Sequence, residues 1–233
     1  MDFIIILILI SFLLCLLFFI LQINTKKIKQ IADNSKLNNL VSKLPENVQI
    51  CKDILKILNN EDVKIKSDTE GQTSLYIVAT NTISIANIKD SFTRIQTIAH
   101  ECIHSIQSKK KLMFNFIYTN IYILYLAVIL ILTLFGKIQN MMLQVEILTI
   151  LGFIHYFIRS YLEMHAMLKA RYIAQQYMEE TAILTKQEIN NILLEYDKLN
   201  NCGIKFMMFT ILLNDFLKVL IYIVICLIRI YIF

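Results

Sequence analysis

The chain has 233 residues, 57% of them hydrophobic and 18% charged, a make-up that excludes an ordinary water-soluble globule and points to lipid as the solvent for most of it. Four glycines and one proline are too few for a hairpin-rich architecture, which disfavours a transmembrane β-barrel and favours long helices. Lys and Arg number 23 against 18 Asp and Glu, with 4 His, for a net charge of +5, too mild an excess to point to nucleic acid as a partner. The five cysteines (Cys15, Cys51, Cys102, Cys202, Cys226) are odd in number and show no C-x-x-C spacing, which disfavours a disulfide framework or a cysteine zinc site.

Residues 3–21 form an uncharged apolar run; a helix of about 20 residues at ~1.5 Å each crosses the ~30 Å hydrocarbon core. Only Asp2 precedes the run, no small-x-small cleavage site follows it, and Lys26, Lys27 and Lys29 come next. These flanks read as a retained anchor over residues 1–22 rather than a signal peptide.

Between residues 23 and 111 the chain regains soluble character, with 14 Lys and Arg and 9 Asp and Glu in residues 24–111. Pro45-Glu46 suits a helix start, and Val48, Cys51, Ile54, Leu55 and Leu58 repeat at helical spacing up to Asn59-Asn60. Val63 with Ile65, then Leu75 to Val78, then Ile83 to Ala86 read as short strands of a small sheet, with Asp68 to Gly71 and Asn81 supplying turns. Residues 82–87 suit either an edge strand that pairs with an extended peptide or a buried strand within that sheet. From Ile88 to Lys109 the period is helical again, with Ile95, Ile98, Cys102 or Ile103, and Ile106 on one face.

A second apolar run, Leu112 to Phe135, and a third, Met141 to Ile158, flank the short loop 136–140 and predict a transmembrane hairpin over 112–158. Gln144, Glu146 and His155 interrupt the third run. Residues 159–205 are a polar helical segment, and 206–233 form a fourth span that carries Asn214, Asp215 and Lys218 early and Arg229 late. Asp215 and Lys218, at i and i+3, can neutralise each other or meet Glu146 and His155, as helix packing or along a transport pathway, and packing is the favoured reading. Lys109, Lys110 and Lys111 precede the second span, Arg159 ends the third, and Lys137 alone lies in the loop between them. By the positive-inside rule, 22–111 and 159–205 share the cytoplasmic side. The expected fold class is mainly α, an integral membrane helical bundle of about four spans with a small α+β cytosolic portion.

His100-Glu101-Cys102-Ile103-His104 reads H-E-x-x-H, which stacks two imidazoles on one helical face. Zinc takes three protein ligands and leaves one position open at a hydrolytic site, and Glu101 is placed to accept a proton from water there. The plainer alternative is a surface helix on which two histidines happen to lie four apart, with Glu101 solvated.

Ile98-Ala99-His100-Glu101-Cys102-Ile103-His104-Ser105-Ile106-Gln107, after Thr82 to Asn87, resembles the bacterial membrane-bound neutral zinc metallopeptidases, with Leu162-Glu163-Met164-His165-Ala166-Met167 matching that family's second motif, E-x-(N/D)-A-S. The resemblance extends over roughly residues 1–175. It implies a zincin-like portion holding one Zn2+ ion on His100, His104 and Glu163, with Glu101 as general base. Cys102-Ile103 stand where the family usually has Val-Gly, His165 where it has Asn or Asp, and Met167 where it has Ser.

Topology agrees with Glu163, because a two-helix hairpin returns the chain to the side it left. A solvated acid near Arg159 or Lys169 is the alternative for Glu163, and Glu179 and Glu180 are reserve ligands. His165 points to another side of its helix, and His155, ~12 Å along it from Glu163, is too far to ligate. Tyr76, Tyr161 and Tyr172 are equivalent candidates for an oxyanion stabiliser.

The expected function is membrane-anchored, zinc-dependent peptide hydrolysis at the cytoplasmic surface of a bacterial cell membrane, with a peptide or protein substrate. The alternative is an inactive zinc-binding, structural or transport-like bundle. Site-2-type proteases place H-E-x-x-H inside a span, whereas Arg94 and Lys109 to Lys111 bracket it here. Membrane peptidases that continue with E-x-x-x-D would need Asp where Met167 stands.

Overall fold

The structure is a computed structural model describing residues 2–68, 71, 73–87 and 91–232. Its elements follow in the order α1 (Asp2–Ile20), α2 (Thr25–Ala32), α3 (Ser35–Val41), α4 (Asn47–Ile57), β1 (Lys64–Asp68), β2 (Leu75–Ile77), β3 (Thr82–Ala86), α5 (Arg94–Ile106), α6 (Lys109–Leu134), α7 (Met141–Thr181) and α8 (Lys186–Ile232). The protein is thus mainly helical with one small sheet, and α1, α6, α7 and α8 are long and apolar enough to cross a membrane. Two compact units divide the chain: residues 1–23, 114–161 and 205–233 form one, and residues 24–113 and 162–204 the other.

In the first unit, Tyr122, Ile129, Val145, Leu148, Val219, Tyr222, Ile223 and Cys226 form a buried core against which Phe3, Ile6, Leu7 and Ile10 of α1 pack. Outward-facing side chains are large and apolar: Phe12, Phe19, Leu124, Phe135 and Phe157 are all well exposed, a surface suited to lipid. α6 ends where Gly136 adopts φ +67° and Lys137 N–H donates to Leu132 O at 2.8 Å, a glycine-dependent helix stop. Asn140 Oδ1 then accepts from Leu143 N–H at 3.0 Å, capping the start of α7.

Within this apolar unit Asp215 is 3% exposed. Its carboxylate meets His155 Nδ1 at 2.8 and 3.0 Å and accepts from Lys218 Nζ at 2.7 Å. The Lys218 ammonium also lies 4.9 Å from the centroid of the Tyr122 ring. Glu146 is exposed, so the polar cluster joins His155, Asp215 and Lys218 without it.

In the second unit β3 lies between its neighbours in the order β1-β3-β2, parallel to β1 and antiparallel to β2. Residues 82–86 are therefore the central strand, and the edge-strand reading of 82–87 is overturned. The alternation of Ile83 and Ile85 into the core serves a strand paired on both sides, and β2 is an outer one. α4 packs its buried Ile50, Cys51, Ile54 and Leu55 on α5 and the sheet. It stops at Asn59, whose φ is +51°, with Asn60 N–H donating to Leu55 O at 2.9 Å.

Three boundaries differ from the sequence reading. α5 begins at Arg94, and Ile88 lies outside the described residues, as do Phe233 and two of the residues between Asp68 and Gly71. α2 and α3 are short, each with one apolar i, i+3, i+4 set (Ile28, Ile31 and Ala32; Leu37, Leu40 and Val41), and asparagine caps mark their starts, with Asn24 Oδ1 accepting from Lys27 N–H at 2.9 Å and Asn34 Oδ1 from Leu37 N–H at 3.3 Å. The composition changes near residues 158 and 205 fall inside α7 and α8. A change of polarity does not interrupt backbone hydrogen bonding, and no proline stands at either position. Instead α8 starts at a capping box, with Thr185 N–H donating to Glu188 Oε2 at 2.7 Å and Glu188 N–H to Thr185 Oγ1 at 3.2 Å.

Asp215→Asn removes the anion shared by His155 and Lys218 and should destabilise the detergent-solubilised protein by about 3 kcal/mol. Adding Lys218→Met should recover most of that loss, read as thermal unfolding midpoints. A double variant no more stable than the single one would show that the charges do not act as a pair.

Candidate metal centre

α5 is held at both ends before it presents any chemistry. Near its start the buried Arg94 donates from Nη1 to Pro45 O at 2.9 Å and Asn47 Oδ1 at 2.7 Å, and from Nη2 to Val41 O at 2.7 Å and Leu44 O at 3.0 Å. A cation in a first helical turn opposes the macrodipole, and these charge-assisted hydrogen bonds offset that cost while satisfying carbonyls at the end of α3 and just after it. Near its end Asn60 Nδ2 donates to Ser105 Oγ at 2.8 Å. Ile95, Ile98, Ala99, Cys102 and Ile103 face the core with at most 1% exposure.

That anchoring turns the face bearing His100 and His104 toward α7. The two rings lie 4.7 Å apart at 84°, neighbours because residues at i and i+4 share a helical face. His100 Nε2 is 3.1 Å from His104 Nε2 and 3.2 Å from Glu163 Oε2, and His104 Nε2 is 3.6 Å from the same oxygen. Among the described residues these three form a group able to hold one metal ion. Their side chains are only 18%, 10% and 13% exposed, so the donors lie largely out of bulk water. Ala166, Ala170 and Ala174, at i+3, i+7 and i+11 on the face that carries Glu163, are fully buried.

Glu101 is not the solvated residue of the plain surface-helix reading. It is buried, and its Oε2 accepts from the backbone N–H of Tyr76 in β2 at 2.7 Å. Burial pushes its pKa above the usual carboxylate value, while His100, His104 and the Tyr76 amide act in the opposite direction. For His104, burial disfavours the charged ring, but the hydrogen bond and charge of Glu163, with Gln107 and Glu101, leave the pKa raised.

The remaining candidates separate cleanly. His165 does not join the donor group; its Nδ1 lies 3.0 Å from Gln107 Nε2, and its pKa is lowered by burial and by Lys169, His104 and Lys111. Glu179 and Glu180 are exposed and accept from Gln175 and Gln176, each at 2.8 Å. Glu179 lies 16 residues beyond Glu163 on one helix, or about 24 Å, which removes both as reserve ligands. The Tyr76 hydroxyl donates to Asn81 Oδ1 at 2.8 Å, so this residue meets the site through its backbone. Tyr172 is 65% exposed and Tyr161 52%, and His155 meets Asp215 at 2.8 Å.

Positions that depart from the resembled motif have packing roles. Cys102 and Ile103 are buried, with Cys102 Sγ 3.7 Å from Cys51 Sγ of α4. Met167 covers Gly203 of α8, where a Cβ would sit 3.4 Å from its Cε. The amide of Gln107 and the backbone of Tyr76 enter the site although the sequence assigns neither of them a role. Gln107 lies at the end of the quoted motif, but nothing in its spacing reveals its partners.

Comparison with protein-family models, curated proteins and solved structures gives no match. The resemblance to neutral zinc metallopeptidases rests on the two motifs and their order.

Burial and the neighbouring Cys51 thiol push the Cys102 pKa well above its ordinary value, which suppresses the reactive thiolate. At pH 8 a small alkylating reagent should therefore modify the half-buried Cys202 well before Cys51 or Cys102 in the folded protein, as followed by peptide mass spectrometry. Equal rates at Cys102 and Cys202 would contradict the packing of α4 on α5.

Proposed function

We propose that the protein is a membrane-anchored zinc metalloendopeptidase with a zincin-like site, hydrolysing peptide bonds at the cytoplasmic face of a bacterial membrane. The observation that carries this reading is the spacing of the three donors. Ligands bonded to zinc at about 2.0–2.1 Å in a tetrahedron lie about 3.3–3.4 Å apart, and the separations of 3.1, 3.2 and 3.6 Å straddle that value. Two imidazoles and a carboxylate are also the donor set of hydrolytic zinc sites, which leave a fourth position open. The positive flanks of the four span-length helices support the cytoplasmic assignment.

Zinc held by His100, His104 and Glu163 would supply Lewis acidity, polarising a peptide carbonyl and lowering the pKa of water to about 7. Glu101 takes the proton of the attacking water as its oxygen bonds to the carbonyl carbon. The same carboxyl then delivers that proton to the leaving nitrogen as the C–N bond breaks, yielding an acid and an amine. Burial of Glu101 favours proton acceptance, and the Tyr76 amide holds one carboxylate oxygen so that the group keeps its direction.

The test uses purified full-length protein. Wild type should hold stoichiometric zinc and cleave members of a peptide library. Glu101→Gln should keep the zinc while cleavage falls by at least about 100-fold. A wild type without stoichiometric zinc, or a Glu101→Gln protein that still cleaves, would sink the mechanism. Bound zinc without hydrolysis by wild type would favour the inactive scaffold.

A further inference from the structure

We propose that Gln107 is a positioning residue that presents His104 as an Nε2 ligand and locks the two ligand-bearing helices together. The inference rests on the reading of His100, His104 and Glu163 as a metal centre.

Gln107 is the C-cap of α5, and its N–H is shared between Ile103 O and His104 O, each at 3.2 Å. Being the first residue beyond the helix, with extended backbone angles of φ −65° and ψ 161°, it can direct its side chain into the gap toward α7. The amide then makes three contacts: Oε1 to His104 Nδ1 at 2.9 Å, Nε2 to Leu162 O at 2.8 Å, and Nε2 to His165 Nδ1 at 3.0 Å.

These contacts determine one another. Leu162 O is a backbone carbonyl and can only accept, so the NH2 end of the amide must face it. Oε1 consequently faces His104 and can only accept, which places a proton on His104 Nδ1. In the neutral ring the lone pair is then on Nε2, the atom 3.1 Å from His100 Nε2 and 3.6 Å from Glu163 Oε2. The second amide hydrogen goes to His165 Nδ1, so the proton of neutral His165 lies on its Nε2.

Gln107 thus joins one ligand of α5 to the peptide carbonyl immediately before the ligand of α7. It also gives His165 a task that the imidazole performs without touching the donor group. Hydrogen bonds from a ligand's second nitrogen set its tautomer and ring direction, and losing such a partner typically costs about 10–100-fold in metal affinity. Removing the amide's polarity while keeping its length therefore separates positioning from packing.

The experiment titrates Co2+ into full-length, metal-free protein in detergent micelles and records affinity and visible absorption for wild type, Gln107→Met and Gln107→Glu. Gln107→Met should bind about 10–100-fold more weakly, with altered cobalt bands and a lower unfolding midpoint of the metal-free protein, because the bond to Leu162 O is lost as well. Gln107→Glu keeps an acceptor facing His104 and should recover part of the affinity. Wild-type affinity and bands in Gln107→Met, or equal losses in both variants, would overturn the positioning role. A wild type that binds no Co2+ would instead overturn the metal reading itself.

A measurement on the unmutated zinc-loaded protein applies even if a variant does not fold. Long-range 1H–15N spectra of histidine-labelled protein should show the His104 proton on Nδ1 and the His165 proton on Nε2. The opposite tautomer at His104 would also overturn the proposal.

Discussion

The second unit depends on a polar meeting of two helices. Residues 100–106 of α5 with its cap Gln107, and 162–165 of α7, approach through ring nitrogens, a carboxylate, a side-chain amide and a backbone carbonyl. Apolar contacts tolerate small rotations, whereas hydrogen bonds weaken steeply as their angles open. The arrangement therefore requires both helices to have fixed rotation. α5 obtains it from Arg94 near one end and Gln107 at the other, with Cys102 and Ile103 packed into the core between them. On α7, Ala166, Ala170 and Ala174, which share a face with Glu163, are fully buried.

Grouping two imidazoles and a carboxylate in a poorly solvated place is costly unless the charges are balanced. Without a metal, the balance falls partly on protonation, consistent with the raised pKa of His104. A divalent cation would serve the same end with all three donors deprotonated. Glu101 is held apart from this group by the amide of Tyr76, so the turn of helix that supplies two donors also carries a carboxylate with its own partner. The short sheet has a direct part in the site, because its outer strand provides that partner.

The first unit applies the same balancing rule in apolar surroundings. Asp215 is surrounded by His155 and Lys218, and long helices satisfy their own backbone groups where water is absent. α7 and α8 supply residues to both units. Each change of environment along them is therefore made by side chains on an uninterrupted backbone, and Glu163 is presented from a continuous helix rather than from a loop.

By itself the sequence determined whatever depends on local period and composition. The four apolar runs follow from hydropathy, α4 from its spacing after Pro45, and the facing pair His100 and His104 from the 3.6-residue helical turn. Glu163 entered through resemblance and a parity argument, since spacing cannot choose one carboxylate among several. Only the tertiary structure decided that β3 is central, that Glu101 is buried against Tyr76, and that Gln107 reaches both His104 and Leu162 O. Strand order and contacts between helices are non-local: they depend on how separate segments pack, and the residues that make them carry no mark of it in their sequence spacing. The apolar composition that first excluded an ordinary soluble globule says where the long helices can reside; tertiary packing selects which of their few polar residues meet.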